Sequence, residues 1–137
     1  MSLYLTIFDG EDEQSGVEVG PYSDFHDFRL AVEKFVEGGN WGSACPTLML
    51  RSDCDGQWTP AESTVLLVEL ARIAERFHAL PSEPITTAWK RACVETFGLK
   101  IGTLYDCFFD IDGEPLIERL QGLAQQSVDR NLPILFQ

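Results

Sequence analysis

Positive charge is scarce in this sequence. Ten Lys and Arg stand against twenty-two Asp and Glu, giving a formal net charge of −12 and a sequence pI near 4.4. Such a chain is repelled by nucleic-acid phosphates and anionic membrane surfaces, so neither is expected as a partner and a cationic protein is the easier match. Long apolar runs are missing too. The most apolar stretch, Val65 to Val68, meets Glu69 at once, far short of the roughly 20 residues that span a bilayer. The first nine residues lack the basic start and the length of a signal peptide, so a soluble, cytoplasmic protein is expected. No two of the four cysteines, Cys45, Cys54, Cys93 and Cys107, form a CxxC pair, and they are expected as reduced, mostly buried thiols. With only His26 and His78 beside them, no structural zinc site is expected. There is no P-loop, GxGxxG or GxSxG, so the expectation is a protein with no cofactor and no enzymatic reaction.

What is present suffices for a core. The 137 residues are 45% hydrophobic and 11% aromatic, enough for one compact unit and too few for two. Leu3 to Phe8 reads as a strand ending at the turn signal Asp9-Gly10, and Val17 and Val19 alternate as a short second strand. Ser23 can cap a helix carrying Phe25, Phe28, Val32, Phe35 and Val36 on one face, with Arg29 and Glu33 on the other and Gly38-Gly39 as its stop. Thr47 to Leu50, bounded by Pro46 and by Asp53 to Gly56, reads as a buried strand.

The firmest boundary is Thr59-Pro60-Ala61-Glu62: a hydroxyl cap, proline at the first helical position, and a glutamate placed to reach back to the cap's N–H. The helix it opens should run to about His78, with an apolar face wide enough to meet a sheet and other helices, and Glu62, Glu69, Arg72 and Arg76 on its polar side. Beyond Pro81 and Pro84 a further helix carries Ile85, Ala88, Trp89, Ala92, Cys93 and Phe97 on one face and stops at Gly98. Thr103 to Ile111 favours a strand, Pro115 opens a last helix through Leu116, Leu120, Leu123 and Ala124, and Leu132 to Phe136 can complete the sheet as an edge strand, because Pro133 has no N–H to donate. The reading is a single α+β domain over residues 1–137, a small mixed β-sheet covered by about four helices.

One local pattern occurs twice: Asp53-Cys54-Asp55-Gly56 before Pro60, and Asp110-Ile111-Asp112-Gly113 before Pro115. Each reads as a tight turn whose carboxylates accept backbone N–H groups near a helix's positive end. Paired carboxylates at such a turn can also face a basic partner. An alternative for the first copy is a calcium-responsive loop from Asp53 to Glu62, in which Asp53, Asp55, Gly56 and Glu62 take positions three, five, six and twelve; Arg51 then stands where the ion needs an oxygen, so no metal ligand is assigned. An acid/base pair within either turn lacks any feature that would set two pKa values apart. Acidic charge gathers in two stretches: residues 1–37 hold nine acids and two bases, and 106–118 hold five acids and no base. Trp41, Trp58 and Tyr22 fall in or beside predicted loops, where aromatic side chains serve either as contact anchors or as partly buried props.

Taken in order, Leu3-Tyr4-Leu5 to Asp9-Gly10, then Pro46 to Leu50 running into Ser52 to Gly56 and Trp58, then Asp110 to Leu116, resemble a family of bacterial immunity proteins from polymorphic-toxin systems, immunity protein family seventy. The resemblance implies a small antidote that binds the C-terminal domain of a cognate toxin and blocks it. An acidic inhibitor suits a basic toxin such as a nuclease, since opposite potentials speed encounter. The partner-binding residues expected from loop position and charge are Asp53, Asp55, Trp58, Asp110, Asp112 and Glu114.

Overall fold

A computed structural model describes residues 2–52 and 56–137. The chain opens with a hairpin, β1 (Ser2–Asp9) and β2 (Asp12–Pro21), turning through Gly10 at φ +66°. Leu3, Leu5 and Ile7 alternate inward and are fully buried, as are Val17 and Val19 opposite, so the period of two fixes which face meets the core. Helix α1 (Tyr22–Phe35) follows without a break. Its cap position is Pro21 rather than the expected Ser23, because the strand's own extended last residue already sets the entry angle. Phe25 and Phe28 enter the core, whereas Phe35 is only half-buried at its margin. Gly38 and Gly39, both at positive φ, turn the chain away as anticipated.

Thr47 to Leu50 is not a strand. Pro46–Met49 forms one helical turn, α2. Its N–H groups at Thr47 and Leu48 donate to the Glu69 carboxylate (3.1 and 2.9 Å), and its Leu48 carbonyl accepts from Arg29 Nη2 (2.7 Å). Two distant charges therefore satisfy the ends of a helix too short to hold itself. For the same reason Glu69 and Arg29, both expected on solvent faces, are buried.

The short strand β3 (Gln57–Trp58) leads into α3 (Pro60–His78), whose Thr59–Glu62 capping box forms as expected. Its buried face is narrower than its composition suggests: Leu66, Leu70, Ile73 and Phe77 face inward, while Val65 and Val68 are exposed. Buried Ser63 and Ser127 meet across α3 and α5 (Leu116–Arg130) with 2.8 Å between hydroxyl oxygens. Small side chains at that crossing let the two helices approach closely. Between them, α4 (Ala88–Phe97) ends at Gly98 in the left-handed conformation, yet none of its residues is fully buried.

Thr103 to Ile111 also departs from the strand expected. Asp106 Oδ2 accepts the Gly102 and Thr103 N–H groups at a 3₁₀ turn over Leu104–Cys107, and Asp110 folds the following residues into a second turn. Two carboxylates thus interrupt an aromatic run that would otherwise extend.

The strand β4 (Ile134–Phe136) lies inside the sheet, which has the order β2-β1-β4-β3 with every pair antiparallel. The edge placement inferred from Pro133 is corrected: the proline precedes the strand by one residue, so its missing N–H costs no rung. Beneath the sheet, Phe28, Phe77 and Phe108 form a triangle with ring centres 5.3–6.1 Å apart, two of its contacts edge-on or nearly so.

Candidate partner-binding surface

The second Asp-x-Asp-Gly turn is built from the inside. Asp110 is fully buried, and its Oδ1 accepts the N–H groups of Asp112 (2.9 Å) and Glu114 (3.0 Å). Its Oδ2 lies 3.0 Å from Arg119 Nε, a contact of charges rather than an aligned hydrogen bond. Gly113, at φ +78°, completes the turn. Arg119 Nη2 also donates to the Gly16 carbonyl, and Ile111 N–H donates to the Glu18 carbonyl, each at 3.3 Å. The turn is therefore fastened to β2, which brings the two acid-rich stretches of the sequence together.

With Asp110 used internally, the turn presents Ile111, Asp112 and Glu114 outward. Phe97, at the end of α4, lies over Gly113, where a Cβ would come within 2.8 Å of its ring. Ile111 also closes over Gly20 beside Trp89. Phe97 remains 51% exposed and Ile111 38%. Two apolar side chains thus sit beside two exposed carboxylates on a backbone pinned by a buried one. Trp89 Nε1 donates to Asp24 Oδ2 at 2.8 Å, which ties this corner to α1. The Cys93 thiol beneath it is pushed up in pKa by burial and then by Asp110 and Asp112.

The other expected contact residues fall elsewhere. Asp53 and Asp55 lie outside the described residues, with Cys54 between them. Trp58 is fully buried, donating through Nε1 to the Thr47 carbonyl (2.8 Å) and meeting Phe136 edge-on at 4.6 Å. Trp58 and Asp110 are thus both buried, Trp58 in the core and Asp110 under its own turn, and have no side-chain area to offer a partner. Tyr22 is half-buried at the core margin. Of the residues proposed for the calcium loop, Glu62 has both oxygens engaged, one by the Thr59 N–H and one by Arg51. Phe97 and Ile111 were missed because helical periodicity assigned Phe97 to a buried face and the aromatic run assigned Ile111 to a strand.

A groove of about 270 Å³ between α1 and residues 83–87 carries both signs of charge, with Asp24, Asp27 and Glu83 set against Lys34 and Lys90. Lys90 Nζ donates to the Cys107 carbonyl (2.6 Å) and lies 5.0 Å from the ring centres of Phe108 and Phe109. Burial lowers its pKa, partly offset by Asp24. These contacts tie α4 to the 3₁₀ turn.

The fold and this corner define a small acidic α+β protein with preformed turns at its surface. The chain belongs to the Immunity protein 70 family, whose family model matches residues 3–136. No curated protein and no solved structure matches the chain. Among the described residues, no helix is long and apolar enough to cross a membrane.

Proposed function

We propose that this protein binds the C-terminal domain of its cognate polymorphic toxin in the cytoplasm of the producing cell and blocks it by covering it, without a reaction of its own. The family supports the antidote role, and the observation that carries the contact is the 110–114 turn, which holds Ile111, Asp112 and Glu114 outward beside Phe97. Asp53 and Asp55, the carboxylates of the other Asp-x-Asp-Gly motif in the sequence, are proposed as further contacts. A preformed surface loses little conformational freedom on binding, and an anionic one speeds encounter with a cationic partner and disfavours others. The toxin domain this fits is basic, as a nuclease domain is.

Co-expression tests the proposal. The C-terminal domain of the toxin encoded beside this gene should arrest growth, and this chain should restore it and co-purify with that domain in a stable complex. Toxicity that persists alongside soluble chain, with no complex, rejects the antidote role. Restored growth with turnover of the toxin or its product by this chain rejects the purely steric mode.

A further inference from the structure

Three ionisable side chains are buried in the body of the molecule and directed at one segment, residues 37–51. Glu37 accepts the N–H groups of Gly42 (2.9 Å), Ala44 (3.0 Å) and Cys45 (2.9 Å) through its two carboxylate oxygens. Glu69, from α3, accepts those of Thr47 and Leu48, and Arg29, from α1, donates to the carbonyls of Leu48 and Arg51 (2.7 and 2.9 Å). Burying an ion is costly unless such bonds satisfy it. The inward residues Cys45, Leu48 and Met49 join the core and account for the segment's being packed down. They do not account for what it holds outward.

Trp41 is 37% exposed, with its indole N–H on the Met49 carbonyl (3.2 Å) and its ring 5.9 Å from that of His26. Leu50 is 64% exposed and lies over Gly42, at φ +79°, where a Cβ would come within 2.6 Å of it. Leu30, one helical turn beyond His26, is exposed as well. The result is an apolar strip on rigid backbone, with a tryptophan at its centre, the residue type most enriched among binding anchors.

We infer that Trp41 and Leu50, displayed by the segment that Arg29, Glu37 and Glu69 pin, form an anchoring surface for the cognate toxin domain; this rests on the antidote reading above. Charge selects that occupant over a second copy of this chain. Two copies would bring together molecules of net charge −12 each, while a basic domain is drawn to the face and can set a cation against exposed Asp27 beside Leu30. The strip and the acidic turn then do different things. Apolar anchors hold the complex together and act on dissociation, whereas exposed carboxylates act on association and its salt dependence.

The test measures association and dissociation rates of the purified toxin C-terminal domain, as an inactive variant, against wild type, Trp41→Ala/Leu50→Ala and Leu50→Glu. Leu50→Glu touches a side chain already in solvent, so it reports on binding even if the loss of Trp41 lowers stability. The expected result is dissociation at least 100-fold faster for the double variant and at least 10-fold faster for Leu50→Glu, with association changed less than threefold. Affinity within threefold of wild type for both variants overturns the inference while leaving the antidote role intact. A wild type that neither binds nor protects overturns the antidote role itself. Light scattering that shows a wild-type dimer dissolved by the double variant assigns the strip to self-association and also overturns the inference.

Discussion

Two surface segments of this protein are shaped by carboxylates that accept backbone N–H groups, and they differ in how far those carboxylates come from in sequence. At residues 110–114 the carboxylate belongs to the turn itself: Asp110 reaches the second and fourth residues after it. At residues 37–51 the shape is set by Glu37 at one end together with Arg29 and Glu69 from two helices. The first is a local device, written in a short motif. The second depends on the finished core, because its ligating groups come together only when α1 and α3 are packed. A local turn can form early and alone, whereas the remote arrangement is gained or lost with the tertiary fold.

Removing the carboxylates should show this contrast most strongly. Glu69→Ala, which removes the remote carboxylate, strands the Thr47 and Leu48 donors, and at about 1–3 kcal/mol for each unsatisfied buried group it should cost about 2–6 kcal/mol in urea unfolding. Asp110→Ala strands two donors and frees half-exposed Arg119, so a loss of about 2–3 kcal/mol is expected. If Glu69→Ala leaves the Thr47 and Leu48 amides as slow in hydrogen exchange as in the wild type, the remote pinning fails. Charge reversal at exposed residues comes next: Asp112→Lys/Glu114→Lys should leave stability within about 0.5 kcal/mol while slowing association with the toxin domain about tenfold at low salt. Unchanged association would remove the turn from the interface.

The core beneath the remote segment carries a pH signature. Burial pushes the Cys45 thiol up to about 12, with further contributions from Glu69 and Glu37. A thiol raised in the folded state contributes stability that is fully present below its unfolded pKa and is lost as pH rises from there through about 12. Unfolding followed from pH 8 to 11 should therefore show a steeper alkaline decline in the wild type than in Cys45→Ala, which starts from lower stability and keeps only the share that Cys93, Cys107, Tyr4 and Tyr105 contribute. At pH 8 Cys45 should also react with a thiol reagent more slowly than Cys93, since Cys45 is fully buried with its thiol pushed up by that burial, while Cys93 is only partly covered. The smallest effect concerns calcium. Millimolar calcium should leave the melting temperature within about 1 °C, because Glu62 is held by the Thr59 N–H and by Arg51. A clear rise would revive the calcium-responsive loop.

The same contrast explains what could be read before the structure was known. The Thr59–Glu62 capping box, the glycine stops after α1 and α4, and the proline start of α5 all act within a few residues, and each appears where its motif stands. The helix at Pro46–Met49 was misread as a strand because its caps are supplied by Arg29 and Glu69, some twenty residues away in either direction. Burial of those two charges was hidden for the same reason. At the candidate site the turn at Asp110–Gly113 was legible as chemistry. Its polarity was not: which carboxylate faces inward depends on Arg119 and on the registry of β2. Trp58 looked like a loop aromatic, but its indole N–H finds the Thr47 carbonyl, and a satisfied N–H lets so large a ring be buried whole.

The place of β4 has a consequence for how the molecule comes into being. Residues 134–136 lie between β1 and β3, so β1 lacks one of its two neighbours and β3 its only one until this segment, far downstream of both, pairs with them. Closure of the sheet is a long-range event, and such closures are slow steps in folding. Until it occurs the β1–β2 hairpin keeps a bare flank, an unpaired edge open to stray pairing with other chains.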